Sequence, residues 1–117
     1  MTTKADLRRI ALKQPNVTEK DPGSYHFLHN GRGMIWPYPE RVHPKKARVF
    51  RYDQFLFRVA DGDDKMALLE GEPEIFFTTD HYNGYNTVIV RLDAINEERL
   101  QELVEMAAEA APLSTKS

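Results

Sequence analysis

The sequence predicts an α+β fold: a single domain with an antiparallel sheet and helices packed on it. Three observations predict it. Apolar stripes at helical spacing lie near both ends of the chain, β-branched and aromatic runs fill the middle, and turn signals at Asn30-Gly31 and Tyr82–Asn86 join those runs as hairpins. Hairpins with helices on one face build an α+β layer. The element order reads α-β(3)-α-β(2)-α.

The first helix is predicted from Lys4 to Gln14. Leu7, Ile10 and Ala11 share one face at i, i+3, i+4 spacing, and Arg8, Arg9 and Lys13 fall mostly elsewhere. Thr3 with Asp6 resembles a capping box with the shorter acid. Pro15 ends the helix, because the residue before a proline is pushed out of the helical region. Asn16 to Gly23 reads as loop. Tyr25–His29 is a strand, and Asn30-Gly31 suits a type I′ turn, whose two central residues need positive φ. Gly33–Trp36 returns, with Pro37 and Pro39 closing it. Gln54–Val59 is the third strand, with Phe55, Phe57 and Val59 on one face, and Leu56 and Arg58 on the other.

Asp61-Gly62-Asp63-Asp64 is a turn into a short helix, Lys65–Glu70, capped by Asp63 or Asp64 and stopped by a left-handed Gly71. Glu74–Thr79 and Thr87–Leu92 are the last two strands. Asn96 caps the final helix, Glu97 and Glu98 suit its positive end, and Leu100, Leu103, Val104, Ala107 and Ala111 form its apolar stripe up to Pro112. Phe55, Phe57, Ile89 and that stripe are expected to meet in one core. The domain spans residues 1–112, and Leu113–Ser117 reads as a disordered tail.

With 117 residues the chain has room for one core only. It contains no cysteine, which excludes disulfides, thiolate metal sites and cysteine nucleophiles. The N-terminus lacks the apolar stretch of a signal peptide, and no apolar run approaches the roughly 20 residues that span a bilayer. A cytoplasmic protein without membrane contact is expected.

Charge is sorted along the chain. The net charge is only −2, yet residues 41–60 hold six Lys/Arg against one Asp, and residues 61–80 hold seven Asp/Glu against one Lys. The run Arg41–Arg51 has no acid. It reads either as a solvated loop or as a local basic field that draws a polyanion. The candidate phosphate contacts are Arg41, Lys45, Lys46, Arg48 and Arg51. Trp36, Tyr38, Phe50 and Tyr52 flank or interleave the run, an arrangement that can stack unpaired bases while the charges follow phosphates. Burial of Trp36 and Phe50 in the core is the alternative.

Other chemistries find little. His26 and His29 stand three apart in a predicted strand and so point to opposite faces, and no metal-ligand spacing includes His43 or His81. Asp61, Asp63 and Asp64 start like a calcium loop, with Glu72 at the twelfth position, but Lys65, Ala67 and Leu69 occupy positions that need oxygen ligands. Ser24 is the only serine outside the tail, and there is no nucleophile elbow or phosphate loop. No catalytic residue, metal or cofactor is expected.

The chain as a whole resembles the MmcQ/YjbR family of small bacterial proteins, over roughly residues 6–112. The resemblance is carried by Leu7 to Glu19, by Phe27 with Asn30-Gly31-Arg32-Gly33-Met34, by Glu72–Phe77, by Thr87–Asp93 and by the Leu100–Ala111 helix. It implies an α-β(3)-α-β(2)-α fold and a proposed DNA-binding role, and brings no established catalytic residues. Pro37–Tyr52 is longer than the corresponding link in the family. The family's proposed role is therefore not carried onto the basic run by correspondence, and the expected function, a non-enzymatic domain that binds DNA through backbone phosphates, rests on the basic residues themselves. A protein-interaction module using the basic run or the acidic Asp61–Glu74 stretch is the second reading. A ligand pocket lined by Trp36 and Tyr85 is the third.

Overall fold

The first helix, α1 (Lys4–Lys13), starts where the sequence places it. The Asp6 amide donates to Thr3 Oγ1 at 3.4 Å, and the Thr3 amide donates to the Asp6 carboxylate at 2.9 Å, which completes a capping box. Gln14, before Pro15, is already extended with ψ of 141°. The computed structural model describes residues 1–111. Pro112 as a helix stop and the tail predicted at 113–117 lie outside the described residues.

Six strands follow in one antiparallel sheet: β1 (Val17–Glu19), β2 (Phe27–His29), β3 (Arg32–Glu40), β4 (Val49–Arg58), β5 (Phe76–Phe77) and β6 (Thr87–Arg91), in the spatial order β1-β2-β3-β4-β6-β5. The helix α2 (Gly62–Gly71) joins β4 to β5, and α3 (Glu97–Ala110) closes the chain. Asn30 and Gly31 have φ of 51° and 80°, as the type I′ turn between β2 and β3 requires. Asn96 caps α3 by accepting from the Arg99 amide at 2.8 Å.

The α+β class and the helix-on-sheet packing are as expected, and the details differ in several places. The predicted loop at Asn16–Gly23 contains β1, whose Val17 pairs with His29. Asp61, not Asp63 or Asp64, caps α2. Gly71 is not left-handed; α2 ends on Glu72 at φ of −138°. Most consequentially, Pro37 and Pro39 do not close β3. The strand runs on to Glu40, opposite a β4 that begins at Val49, with a bulge between Pro37 and Tyr38. Beyond Ile35, which faces Phe27, β3 has no neighbour on its outer side. Proline's missing donor is tolerated on such an edge and protects it from further pairing.

Helices α1 and α3 cover one sheet face. Leu7, Ile10 and Ala11 meet Leu100, Leu103, Val104 and Ala107 over Ile35, Phe55, Phe57, Val88 and Val90. Ile89, expected in this core, is fully buried but outside it. Alternation turns it to the other face, in a cross-strand row Trp36, Leu56, Ile89, Phe77. That face carries an aromatic layer: Tyr38 meets Phe77 at 6.2 Å and Tyr82 at 6.3 Å, and Tyr82 meets Tyr85 at 6.3 Å. Arg58, on the strand face opposite Phe55 and Phe57, is only 5% exposed. Its guanidinium donates to the Gly33 carbonyl at 3.3 Å and to the Ala111 carbonyl just past α3, where the helix dipole favours a cation.

Candidate nucleic-acid interface

The basic run forms the tip of the β3–β4 hairpin. Because β3 and β4 pair as far as Glu40 and Val49, residues 41–48 turn at the end of a projecting arm, and every residue from Arg41 to Phe50 is exposed. The turn itself is legible in the sequence. The Lys46 amide donates to the His43 carbonyl at 3.1 Å, which puts Pro44 at the second turn position, where its fixed φ is preset. The Lys45 amide adds a bond to His43 Nδ1 at 3.1 Å. Lys45 and Lys46 therefore occupy the last two positions of an exposed turn.

The five predicted residues are brought to this arm but differ in state. Arg41 holds the turn, donating to the carbonyls of Pro44 at 3.1 Å and Lys46 at 3.4 Å. Arg48 ties the returning strand to β3 through the Pro39 carbonyl at 3.1 Å. Carbonyl contacts position these guanidiniums without neutralising them. Arg41, Lys45, Lys46 and Arg48 form no ion pair among the described residues. Arg51 stands apart: it pairs with Asp53 at 3.1 Å and Glu40 at 3.0 Å, and these carboxylates, Asp53 first, raise its pKa further. Its charge is offset locally.

Beside the arm lies a cleft of about 280 Å³ lined by Ser24, His26, Trp36, Pro37, Phe50 and Tyr52. It opens where β2 has ended and β3 is an edge. The sequence alternative that buried Trp36 and Phe50 in the core is not met. Trp36 is half-buried, with its ring 6.0 Å from that of His26, and Phe50 is 55% exposed. Tyr52 packs edge-on to Tyr25 at 5.8 Å, with Lys4 Nζ 5.2 Å from its ring. Burial, and the nearby Lys20 charge, lower the pKa of His26 from its ordinary value, which favours the neutral ring at pH 7. Tyr85, paired with Trp36 in the sequence reading as one pocket lining, is not among the residues that line this cleft. Tyr85 belongs to the aromatic layer with Tyr82 and His81.

Three mycobacterial proteins align along nearly the whole of this chain. One from Mycobacterium tuberculosis (strain ATCC 25618 / H37Rv) and one from Mycobacterium bovis, both described as uncharacterized, are each 34% identical to it over 111 residues, covering 89% of this chain and 84% of the relative. The chain belongs to their family. No family model matches it, and no solved structure matches it.

Besides Arg58, Lys65 is a buried cation that the sequence reading did not single out. Lys65 is 5% exposed and donates from Nζ to the carbonyls of Tyr82 at 2.6 Å and Tyr85 at 2.7 Å, fixing the loop before β6 under the aromatic layer. Arg91 lies over the Phe77 ring at 4.2 Å. Arg48 lies near enough to Tyr82 for its charge to oppose the upward push that burial gives the phenol. No group of three His, Asp or Glu side chains suited to a metal ion occurs among the described residues. No helix among them is long and apolar enough to cross a membrane.

Proposed function

We propose that this chain is a non-enzymatic domain of the MmcQ/YjbR type that binds nucleic acid through the phosphate backbone, with the β3–β4 hairpin tip as the contact. The observation that supports it is the acid-free, exposed tip, where Arg41, Lys45, Lys46 and Arg48 stand without ion-pair partners among the described residues. A projecting ridge of this kind reaches a phosphate chain as a concave pocket would not. Lysines on a turn make point contacts with phosphate oxygens and carry no base information, so binding is sequence-independent. The succession of a first helix, antiparallel strands, a second helix, two more strands and a closing helix supports the family part of the reading, although β1 makes the order α-β(4)-α-β(2)-α where the resemblance implies three strands before the second helix. The protein on this reading works in the cytoplasm and needs no cofactor.

The test is a salt titration of binding to labelled DNA of unrelated sequences. Affinity should fall linearly on a log–log plot, with a slope near −0.9 for each phosphate contacted on duplex. Absence of binding at low salt would overturn the reading.

A further inference from the structure

We propose that the cleft lined by Ser24, His26, Trp36, Pro37, Phe50 and Tyr52 takes one unpaired nucleobase of a single-stranded nucleic acid whose phosphates run over the basic tip. The inference rests on the nucleic-acid reading above and deepens it, from a polyanion of any form to a single strand with an accessible base.

Four features of the cleft argue for this occupant. Its lining holds three flat rings from the β3–β4 hairpin, Trp36 on β3 and Phe50 and Tyr52 on β4. Phe50 and Tyr52 are 55% and 42% exposed, so their rings are open to stacking from solvent. Its volume of about 280 Å³ lies just below the roughly 300 Å³ where pockets for drug-sized molecules begin, which suits one planar group. It also has a polar end. A neutral His26 ring offers one donor and one acceptor, and the Ser24 hydroxyl is adjacent, so a heterocycle's edge can be satisfied there while its faces stack.

Charge selects between a base and other flat ligands. Phe50 follows Arg48 by two residues, about 7 Å of extended chain, and the acid-free tip continues directly from it. An uncharged aromatic molecule gains nothing from that field, and an acidic side chain elsewhere on a protein brings no stacking. A base tied to its phosphates uses both, which is how single strands are held without sequence preference. In duplex DNA the bases are inside the stack and cannot enter without being flipped out.

The experiment uses the full chain, a short single-stranded oligothymidine, the same length of abasic backbone, a duplex and a thymidine mononucleotide. Trp36 is the only tryptophan, so its fluorescence reports the cleft. The oligothymidine should quench it and bind at least tenfold more tightly than the abasic strand. Phe50→Ala, at an exposed position that the fold does not depend on, should weaken oligothymidine binding about tenfold and leave abasic binding unchanged; Trp36→Ala should do the same by anisotropy. Equal binding of the base-bearing and abasic strands, indifferent to Phe50→Ala, would overturn the cleft inference while leaving the basic tip standing. Quenching by the mononucleotide as strong as by the strand would instead make the cleft a small-molecule pocket and overturn the single-strand assignment. Failure of every nucleic acid to bind at low salt would overturn both readings.

Discussion

Arg8 and Glu19 form a two-pronged ion pair across the α1–β1 joint. Arg8 Nε donates to Glu19 Oε1 at 3.0 Å, and Nη2 donates to Oε2 at 2.8 Å. Oε2 also accepts the backbone amides of Gly23 at 3.0 Å and Tyr25 at 2.8 Å. Arg8 continues to the Tyr25 hydroxyl at 3.1 Å, with its guanidinium 3.9 Å from the centre of the Tyr25 ring. Tyr25 has φ of 57°, a conformation that costs a bulky residue free energy and persists only where neighbours over-determine it. The pair therefore sets the path of the segment that carries Ser24 and His26 to one wall of the cleft.

Glu19 gives a pH signature. The Arg8 hydrogen bonds, followed by the Tyr25 and Gly23 amides, hold its carboxyl below the ordinary value against the opposing effect of burial. A folded-state pKa below the unfolded one contributes stability that is present above the unfolded value and lost as pH falls through the folded one. Glu19→Gln should cost about 1–2 kcal/mol at neutral pH, from charge-assisted bonds made neutral. Urea midpoints of parent and variant should converge on acidification below about pH 4, near the ordinary carboxyl range. A gap that does not change with pH would show that the pair contributes nothing through its charge.

Leu103 sits at the centre of the α3 stripe and is fully buried against the sheet. Leu103→Ala removes apolar contacts and leaves a cavity, so it should destabilise the fold by roughly 2–5 kcal/mol, with the urea slope unchanged. A variant with the parent's urea midpoint would remove Leu103 from the core.

These two sites mark what local sequence does and does not reveal. The α1 capping box, the Asn96 cap, the Asn30-Gly31 turn and the α3 stripe are encoded within a few residues, and they were legible. The three-residue β1 was not, because Val17-Thr18-Glu19 is a strand only through its pairing with β2. Ile89 was assigned to the wrong face because a continuous apolar run such as Thr87–Val90 does not state which side each residue takes. The burial of Arg58 and Lys65 was not legible, since their acceptors, Ala111 for one and Tyr82 and Tyr85 for the other, are distant in the chain. The same is true of the cleft. Its aromatics were visible one by one, but Pro37 and Pro39 read as a strand end, which hid the arm that carries Phe50 to within reach of Trp36.

Lys65 tests the aromatic layer. Burial lowers its pKa, and the Tyr82 and Tyr85 carbonyls accept its protons. Lys65→Met keeps the length of the side chain and takes the ammonium donor from both carbonyls, of which that of Tyr82 still accepts the Tyr85 amide at 3.0 Å, at a cost of about 1–3 kcal/mol. Amide exchange should quicken first in residues 82–86, since the loop loses its anchor before the sheet is affected. A variant with parental stability and exchange would mean that the two bonds are replaced by water at no cost.

The arm predicts a contrast between charges that are free to act and one that is offset. Lys45→Ala with Lys46→Ala removes two unpaired ammonium groups from an exposed turn. Stability should not change, because exposed charges contribute little to folding. Binding to unrelated DNA sequences should weaken about equally, and the salt slope on duplex should fall by up to roughly 1.8 for two lost phosphate contacts. Arg51→Ala should behave differently. Asp53 and Glu40 already compensate that guanidinium, so it has few counterions to release from DNA, and the slope should change by much less than for the lysine pair. A slope that falls as far for Arg51→Ala as for the double lysine variant would show that phosphates reach down the arm rather than meeting its tip. A lysine variant that binds like the parent would remove the tip from the interface altogether.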